Sequence, residues 1–145
     1  MMYFKKIAPY TLAPKDTDVY QYLSDLTMQR INPPSNKTKY IDVLTKTLFH
    51  STLQRAVDSI PKNTIAERAP RKSLNEVLFD MDSVCGKEAW KKQGSTAVRE
   101  GFIQSFIDDT LPVSREEIFR EIRELLLEIR EHESVTILSH SFKMK

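Results

Sequence analysis

The stretch LTKTLFHSTLQRAVDSI, residues 44–60, carries the signal that decides the fold of this chain. In residues 44–50, apolar side chains are interleaved with β-favouring threonines, and this pattern predicts a strand. Thr52 can then cap a helix that continues to Ile60 and has to end before Pro61. A strand that leads directly into a helix N-terminus is typical of layered α/β domains.

A helix followed by a strand is predicted near the other end of the chain. Ser114 and Glu117 form a capping box, and the helix predicted over residues 114–130 has apolar side chains at intervals of three and four. Its charged residues occupy the opposite face, as on a solvated helix. Residues 135–139 are a β-branched, apolar run that predicts a strand and leads straight into His140.

Weaker signals fill in the remainder of the chain. Residues 2–8 predict a strand that ends at Pro9, because proline cannot donate to a ladder hydrogen bond. Residues 64–67 predict a brief further strand, and residues 16–31 predict a helix that stops before Pro33. A helix is also predicted over 95–109, and residues 70–93 give mixed signals that predict no element. The inner face of the helix over 95–109 is expected to consist of Val98, Phe102, Ile103, Phe106 and Ile107.

Strands separated by amphipathic helices predict the α/β class, with a layered sheet. The chain has 145 residues, of which 40% are hydrophobic, so it can bury one substantial core and we expect a single domain over 1–145. Ligands of such sheets usually lie beyond the carboxyl ends of the strands. The places to look for chemistry are therefore Pro9, residues 50–55 and His140.

Charge and cysteine content restrict the class of partner and the compartment. The 22 basic and 20 acidic residues are interleaved and leave a net charge of +2, which gives no reason to expect nucleic acid or a membrane but suits an anionic ligand. A single cysteine, Cys85, excludes an intramolecular disulfide and favours a reducing compartment. Residues 1–8 contain no run suited to a secretory signal or a membrane span, so we expect a cytoplasmic location.

The run LFHSTLQRAV, residues 48–57, resembles the strand-to-helix segment of histidine phosphatases, commonly Ser-Ser-Pro-Leu-Gln-Arg-Ala. In that phosphoglycerate-mutase-like family the arginine of this motif grips the phosphoryl group, so the resemblance implies the same role for Arg55. A planar guanidinium close to a helix N-terminus offers bidentate, charge-assisted contacts to phosphate oxygens. Taken in isolation, Arg55 also fits an arginine on a solvated helix surface.

Two further segments resemble the family in the order that it requires. Residues 74–79, LNEVLF, are similar to the Leu-x-Glu segment whose carboxylate is the proton donor, which implies that Glu76 is the general acid. Residues 135–140, VTILSH, are similar to the late strand that ends in Ser-His-Gly, which implies that His140 holds phosphoryl oxygens. The alternatives are a solvated loop glutamate for Glu76 and a partly buried strand-end histidine for His140.

The resemblance implies a three-layer sandwich with a mostly parallel central sheet flanked by helices, short at its C-terminal end, that needs no cofactor and no metal. The family's first strand normally ends in Arg-His-Gly, and that histidine attacks phosphorus. The corresponding residues 3–11, YFKKIAPYT, contain no histidine, arginine or glycine. Ser141 replaces the glycine after the late histidine, and the family ordinarily continues beyond the position of Lys145, so we expect a shortened variant or a fragment.

Three functions follow from this pattern. The leading one is a degenerate histidine-phosphatase-like protein that retains a site for phosphate or a phosphorylated small molecule, formed by Arg55, His140 and His50, with hydrolysis lost or weak. The second is a phosphomonoesterase with a rearranged nucleophile, either His50 or an activated water, in which Glu76 remains the acid. The third is a protein-interaction module that uses the former pocket or an exposed helix face, and a homo-oligomer is left open. Aromatic residues that could contribute to such an interface are Trp90, Phe102 and Phe106.

Overall fold

A computed structural model describes residues 2–7, 18–34, 40–140 and 142–143. The strands and helices are, in chain order, β1 (Met2–Ile7), α1 (Val19–Thr27), β2 (Thr47–His50), α2 (Gln54–Val57), β3 (Glu67–Pro70), a 3₁₀ turn (Lys72–Leu74), α3 (Met81–Val84), α4 (Gly86–Gln93), α5 (Ser95–Ile107), α6 (Arg115–Ile129) and β4 (Val135–His140). Pro9, named above as the end of the first strand, and Ser141 lie outside the described residues.

The four strands form one sheet in the order β1-β4-β2-β3, and every neighbouring pair is parallel. Val135 in β4 is level with Met2 on one side and with Thr47 on the other, so β4 and β2 occupy the middle of the sheet. The predicted α/β class is confirmed. Because the strands are parallel, the ends of β2 and β4 reach the same edge, where His50 is level with Leu138.

The chain is divided into two compact units. The first comprises Met1–Thr11, Asn32–Glu76 and Arg120–Lys145 and contains the whole sheet. The second comprises Leu12–Ile31 and Val77–Phe119, and its described elements are helices.

In the first unit, apolar side chains cover both faces of the sheet, as a parallel sheet requires. Phe49 and Ile137 point to one face, where Leu125 and Ile129 of α6 pack against them. Leu48 and Leu138 point to the other face. The residues that surround them there are Ala56 of α2, Ile60 and Ala66.

In the second unit, aromatic and hydrogen-bond contacts connect distant parts of the sequence. Phe79 meets Phe102 of α5 edge to face, with ring centroids 5.4 Å apart. The backbone N–H of Phe79 donates to the carbonyl of Thr27 at the end of α1 over 3.2 Å. The hydroxyl of Tyr20 donates to the carboxylate of Asp82, which connects α1 to α3. The mixed signals of residues 70–93 therefore correspond to a 3₁₀ turn and two short helices.

The predicted boundaries of the strands were wrong by a few residues. The strand expected over 64–67 lies at Glu67–Pro70, because Thr64 N–H donates to the carbonyl of Pro61 and closes a turn first. A proline can end this strand since β3 is at an edge of the sheet. In the segment predicted as a strand over 44–50, pairing begins only at Thr47 and Leu44 is exposed.

The helices are shorter than predicted. Asp18 caps α1 by accepting from Gln21 N–H, which starts the helix three residues later than expected, and the left-handed backbone at Gln29 follows its end. α2 covers only Gln54–Val57. Thr52 bonds elsewhere and does not cap it, and after Val57 the N–H groups of Ser59 and Ile60 donate three residues back, to Ala56 and Val57, in turns. In α5, Phe102 is buried as expected, whereas Ile103 and Ile107 are exposed, which the inner-face prediction had wrong.

None of the helices within the described ranges has the length and apolar character needed to cross a bilayer.

We predict that Gly101→Ala destabilises the second unit. A Cβ at Gly101 would lie 2.0 Å from the carbonyl oxygen of Val84, so α5 and α3 would have to move apart. We expect the free energy of unfolding to fall by about 3 kcal/mol, which outweighs the gain of about 1 kcal/mol from replacing a helical glycine. Urea titration followed by circular dichroism measures this. Glu100→Ala on the exposed side of α5 is the control, and equal stability of both variants would contradict the prediction.

Candidate functional site

The candidate site lies where β2 and β4 end side by side. The backbone N–H of Ser51 donates to the carbonyl of Leu138 over 3.0 Å, so the ladder between these strands continues one residue past His50. This contact holds the start of the loop before α2 against the last residues of β4. His50, Ser51 and His140 are consequently brought to one edge of the sheet, as the sequence predicted for the two histidines.

A buried chain of hydrogen bonds connects three segments at this edge. The hydroxyl of Ser51 donates to Asn75 Oδ1 over 2.8 Å and accepts from the N–H of Leu53 over 3.2 Å. His140 Nε2 lies 2.7 Å from the same hydroxyl oxygen. Because the hydroxyl proton is directed at Asn75, the imidazole has to donate, so the hydrogen of neutral His140 is on Nε2.

Asn75 also fixes the loop that leads into α2. Its Oδ1 accepts from the backbone N–H of Thr52 over 2.7 Å, and its Nδ2 donates to the Thr52 hydroxyl over 2.8 Å. These contacts use the donors and acceptors of both residues, and they keep Thr52 from acting as a helix cap. The amide of Asn75 therefore fixes the backbone at Thr52, two residues before the start of α2, the helix that contains Arg55.

Arg55 and His140 share one buried environment. Only 3% of Arg55 and 0% of His140 is exposed, which excludes the alternative of a solvated helix arginine. Burial, with a smaller contribution from the positive charge of Arg55, lowers the pKa of His140 to about 3. The imidazole is therefore neutral at physiological pH, and the nearby guanidinium adds to this effect.

The second ring nitrogen of His140 is a buried acceptor that no described group satisfies. With hydrogen on Nε2, Nδ1 carries a lone pair, and this buried atom has no hydrogen-bond partner among the described residues. A ligand that meets His140 at this atom has to offer a hydrogen. A guanidinium beside an imidazole acceptor matches an oxyanion that retains one proton, such as a singly protonated phosphate.

His50 is buried at the same edge but is held differently. Its Nδ1 donates to the carbonyl of Ser51 over 2.8 Å, which places the lone pair of the neutral ring on Nε2. Burial lowers the pKa of His50, and the positive charges of Arg68 and Arg71 lower it further. His50 therefore presents an unprotonated nitrogen near neutral pH.

Glu76 is 7% exposed, which excludes the solvated loop alternative, and its carboxylate contacts the backbone that follows β4. One oxygen accepts from the N–H of Phe142 over 3.1 Å and the other from the N–H of Lys143 over 2.9 Å. The ammonium of Lys143 is buried, which lowers its pKa, and lies 3.6 Å from the carboxylate of Glu121. Glu76 thus ties the 71–76 segment to the chain just after His140.

The four site residues named from the sequence are all buried near the ends of β2 and β4. Sequence reasoning missed Ser51 and Asn75, which carry the hydrogen-bond chain. Their only signal was position, because each is the immediate neighbour of a predicted site residue, His50 and Glu76 respectively. Within the described ranges, no group of three histidine, cysteine, aspartate or glutamate side chains is arranged to hold a metal ion.

Comparisons of the chain with protein-family models, with curated proteins and with solved structures gave no match.

We predict that His140 makes the fold sensitive to acid. Its folded pKa of about 3 lies below the ordinary value of 6.5, so its contribution to stability is complete above pH 6.5 and is lost as pH falls towards 3. The difference corresponds to roughly 5 kcal/mol as an upper bound. Urea unfolding at pH 7.5 to 4 is therefore expected to show a steep loss of stability that is much shallower in His140→Gln.

His50→Gln is expected to remove a smaller part of the same slope, because the pKa of His50 is also lowered by burial. His132→Gln, at an exposed position, is the matched control. A slope in His140→Gln as steep as in the unmodified chain would contradict the prediction.

Proposed function

We propose that this chain is a divergent histidine-phosphatase-like protein with a phosphoglycerate-mutase-like three-layer fold, which binds phosphate or a phosphorylated small molecule and has lost most or all hydrolysis. The observation that carries the proposal is the burial of Arg55 and His140 together at the carboxyl edge of a parallel sheet. A cation in such a place favours an anionic ligand, and a parallel sheet favours ligand binding at that edge.

The order of the segments supports the family. The segments that resemble the arginine motif and the late histidine motif end at β2 and β4, which are adjacent in the sheet. The segment that resembles the Leu-x-Glu motif follows β3 and contributes Asn75 and Glu76 to the same part of the first unit. Three stretches that are far apart in sequence are thus connected by hydrogen bonds, as a shared site requires.

The first strand supports the loss of catalysis. β1 has the sequence MYFKKI and pairs with β4 so that Ile7 is level with His140. A covalent mechanism needs a nucleophile held in line with the leaving group, and no side chain of MYFKKI is a histidine. Arg55 and His140 would then hold a phosphate group that is not attacked from this strand.

The chemistry of the site also defines the expected ligand. One guanidinium and one neutral imidazole suit a single small phosphoryl group better than a polyanion, so we do not expect nucleic acid or a membrane surface to bind there. The single cysteine is consistent with a cytoplasmic location.

We predict that inorganic phosphate binds to the chain and that Arg55→Gln and His140→Gln each weaken binding by about 10- to 100-fold. This range corresponds to the loss of a hydrogen bond to a charged group, about 1.5 to 3 kcal/mol. Isothermal titration calorimetry with phosphate, and with vanadate as a second probe, measures the affinity. Arg120→Gln is the control, because Arg120 is exposed and paired with Glu124 within α6.

Hydrolysis of an aryl phosphate is expected to stay at background and to be unchanged in both variants. Circular dichroism has to confirm that each variant folds. If a variant does not fold, a crystal of the unmodified chain soaked with phosphate locates the anion instead. Absence of phosphate binding, equal affinity in all variants, or a trapped phosphohistidine would refute the proposal.

A second candidate function is a phosphomonoesterase in which His50 replaces the missing nucleophile. The specific observation that favours it is the orientation of His50, whose Nδ1 is anchored to the Ser51 carbonyl and whose Nε2 is unprotonated. Glu76 would have to donate a proton in this mechanism. Its two backbone donors stabilise the ionised carboxylate instead, so it can act only where phosphate nearby restores the proton.

This second function predicts turnover that collapses in His50→Ala and in Glu76→Gln. Glu76→Gln also turns one amide nitrogen towards a backbone N–H, so we expect a loss of about 1 to 3 kcal/mol of stability whether or not the chain is an enzyme. Rates of aryl phosphate hydrolysis therefore have to be compared at equal folded fraction. Glu131→Gln, at an exposed position, is the control for loss of a carboxylate, and turnover that survives His50→Ala would exclude this candidate.

A further inference from the structure

β1 is an edge strand with an apolar half. Within the described part of the chain it pairs with β4 on one side only, so a row of backbone donors and acceptors is left on its other side. Met2, Tyr3 and Phe4 are all exposed, and Phe4 most of all at 55%. Edge strands of this kind attract another strand unless charges or a covering segment prevent it. A strand that pairs with β1 must also tolerate the lysines at positions 5 and 6.

We propose that β1 is a self-association surface, and that a second copy of this chain adds its own β1 antiparallel to it. A twofold axis perpendicular to the sheet relates the copies and joins two four-stranded sheets into one of eight strands. This interface is separate from the proposed phosphate site, so either one can exist without the other.

The charge pattern of the strand selects one register. A perpendicular twofold axis preserves the faces of the sheet, so opposite residues must have numbers of the same parity. Pairing Phe4 with Phe4 of the second copy places residue 2 opposite 6 and residue 3 opposite 5. Moving the centre to Lys5 places two lysines directly opposite each other, and moving it to Lys6 does the same, which is unfavourable. Moving the centre to Tyr3 avoids this but pairs only residues 2–4 of the strand, whereas the centre at Phe4 pairs residues 2–6.

The register centred on Phe4 also gives favourable side-chain pairs. Phe4 and its copy form a directly opposite aromatic pair, a combination that stabilises antiparallel strands. Tyr3 lies opposite Lys5 of the second copy, where the ammonium can approach the face of the ring. The aromatic half of the strand therefore matches the lysine half of its copy.

The cover of the sheet leaves room for this pairing. On the face that carries Phe4, α6 packs over Phe49, Val135 and Ile137 of the two central strands. Phe4 lines a cavity of about 400 Å³ together with Ile122 and Leu126 of α6. A second copy would pair along the free edge of β1, next to this apolar surface.

Disulfide trapping tests the register. Cys85→Ser removes the only cysteine, and Phe4→Cys in that background is expected to give a covalent dimer on mild oxidation, because opposite residues bring their Cβ atoms close together. Lys5→Cys reports the alternative register, and Ile65→Cys, at a fully exposed position, reports random collision. We expect trapping of Phe4→Cys to be at least tenfold faster than trapping of either control.

Sedimentation velocity of the unmodified full chain over a concentration series tests the interface itself. We expect a monomer–dimer equilibrium that Phe4→Lys weakens at least tenfold, while Leu44→Lys, which replaces another exposed apolar residue, leaves it unchanged. A chain that stays monomeric at every soluble concentration would overturn the proposal. A dimer that is insensitive to Phe4→Lys, or Lys5→Cys trapped as fast as Phe4→Cys, would do so as well.

Discussion

A hydrogen bond between the Ser51 hydroxyl and the His140 imidazole, continued from Ser51 to Asn75, holds the candidate site together. The three residues come from three different segments, β2 with the loop after it, β4 and the 71–76 segment, and these bonds join the segments through side chains. Unpaired polar groups in such a buried place would be unfavourable, so each bond constrains the next one. The direction of the Ser51 proton determines the tautomer of His140, and the tautomer determines which ring nitrogen is left as an acceptor.

The same burial determines what the site can do to a ligand. A histidine next to an arginine could have been a second cation, but burial keeps it neutral and makes Nδ1 an acceptor. The site then combines one fixed positive charge with one hydrogen-bond acceptor. In the proposed function this combination separates binding from catalysis, because these two side chains would hold a phosphate group, whereas breaking its ester bond also needs a nucleophile in line with the leaving oxygen.

The sequence was sufficient for the α/β class, for the presence of β1, β2 and β4, and for α6, because proline or β-favouring residues mark the strands and Ser114 caps the helix. It failed where tertiary contacts override local propensity. Thr52 was predicted to cap a helix, but its backbone N–H and its hydroxyl are both bonded to Asn75. Ile103 was predicted to be buried, but it is exposed, whereas its neighbour Phe102 is buried. The site residues were found through a motif, while their partners Ser51 and Asn75 could not be, since nothing local shows that residues 51, 75 and 140 come together.

The strand order has a consequence for how this chain assembles during its synthesis. β2 and β3 are close in sequence and can pair early, whereas β1 has its neighbour in β4, more than a hundred residues later. β4 is therefore the strand that joins β1 to β2, and β1 has no partner in the sheet until β4 is made. Such distant pairing slows folding, and it leaves the apolar residues of β1 accessible to chaperones throughout the growth of the chain.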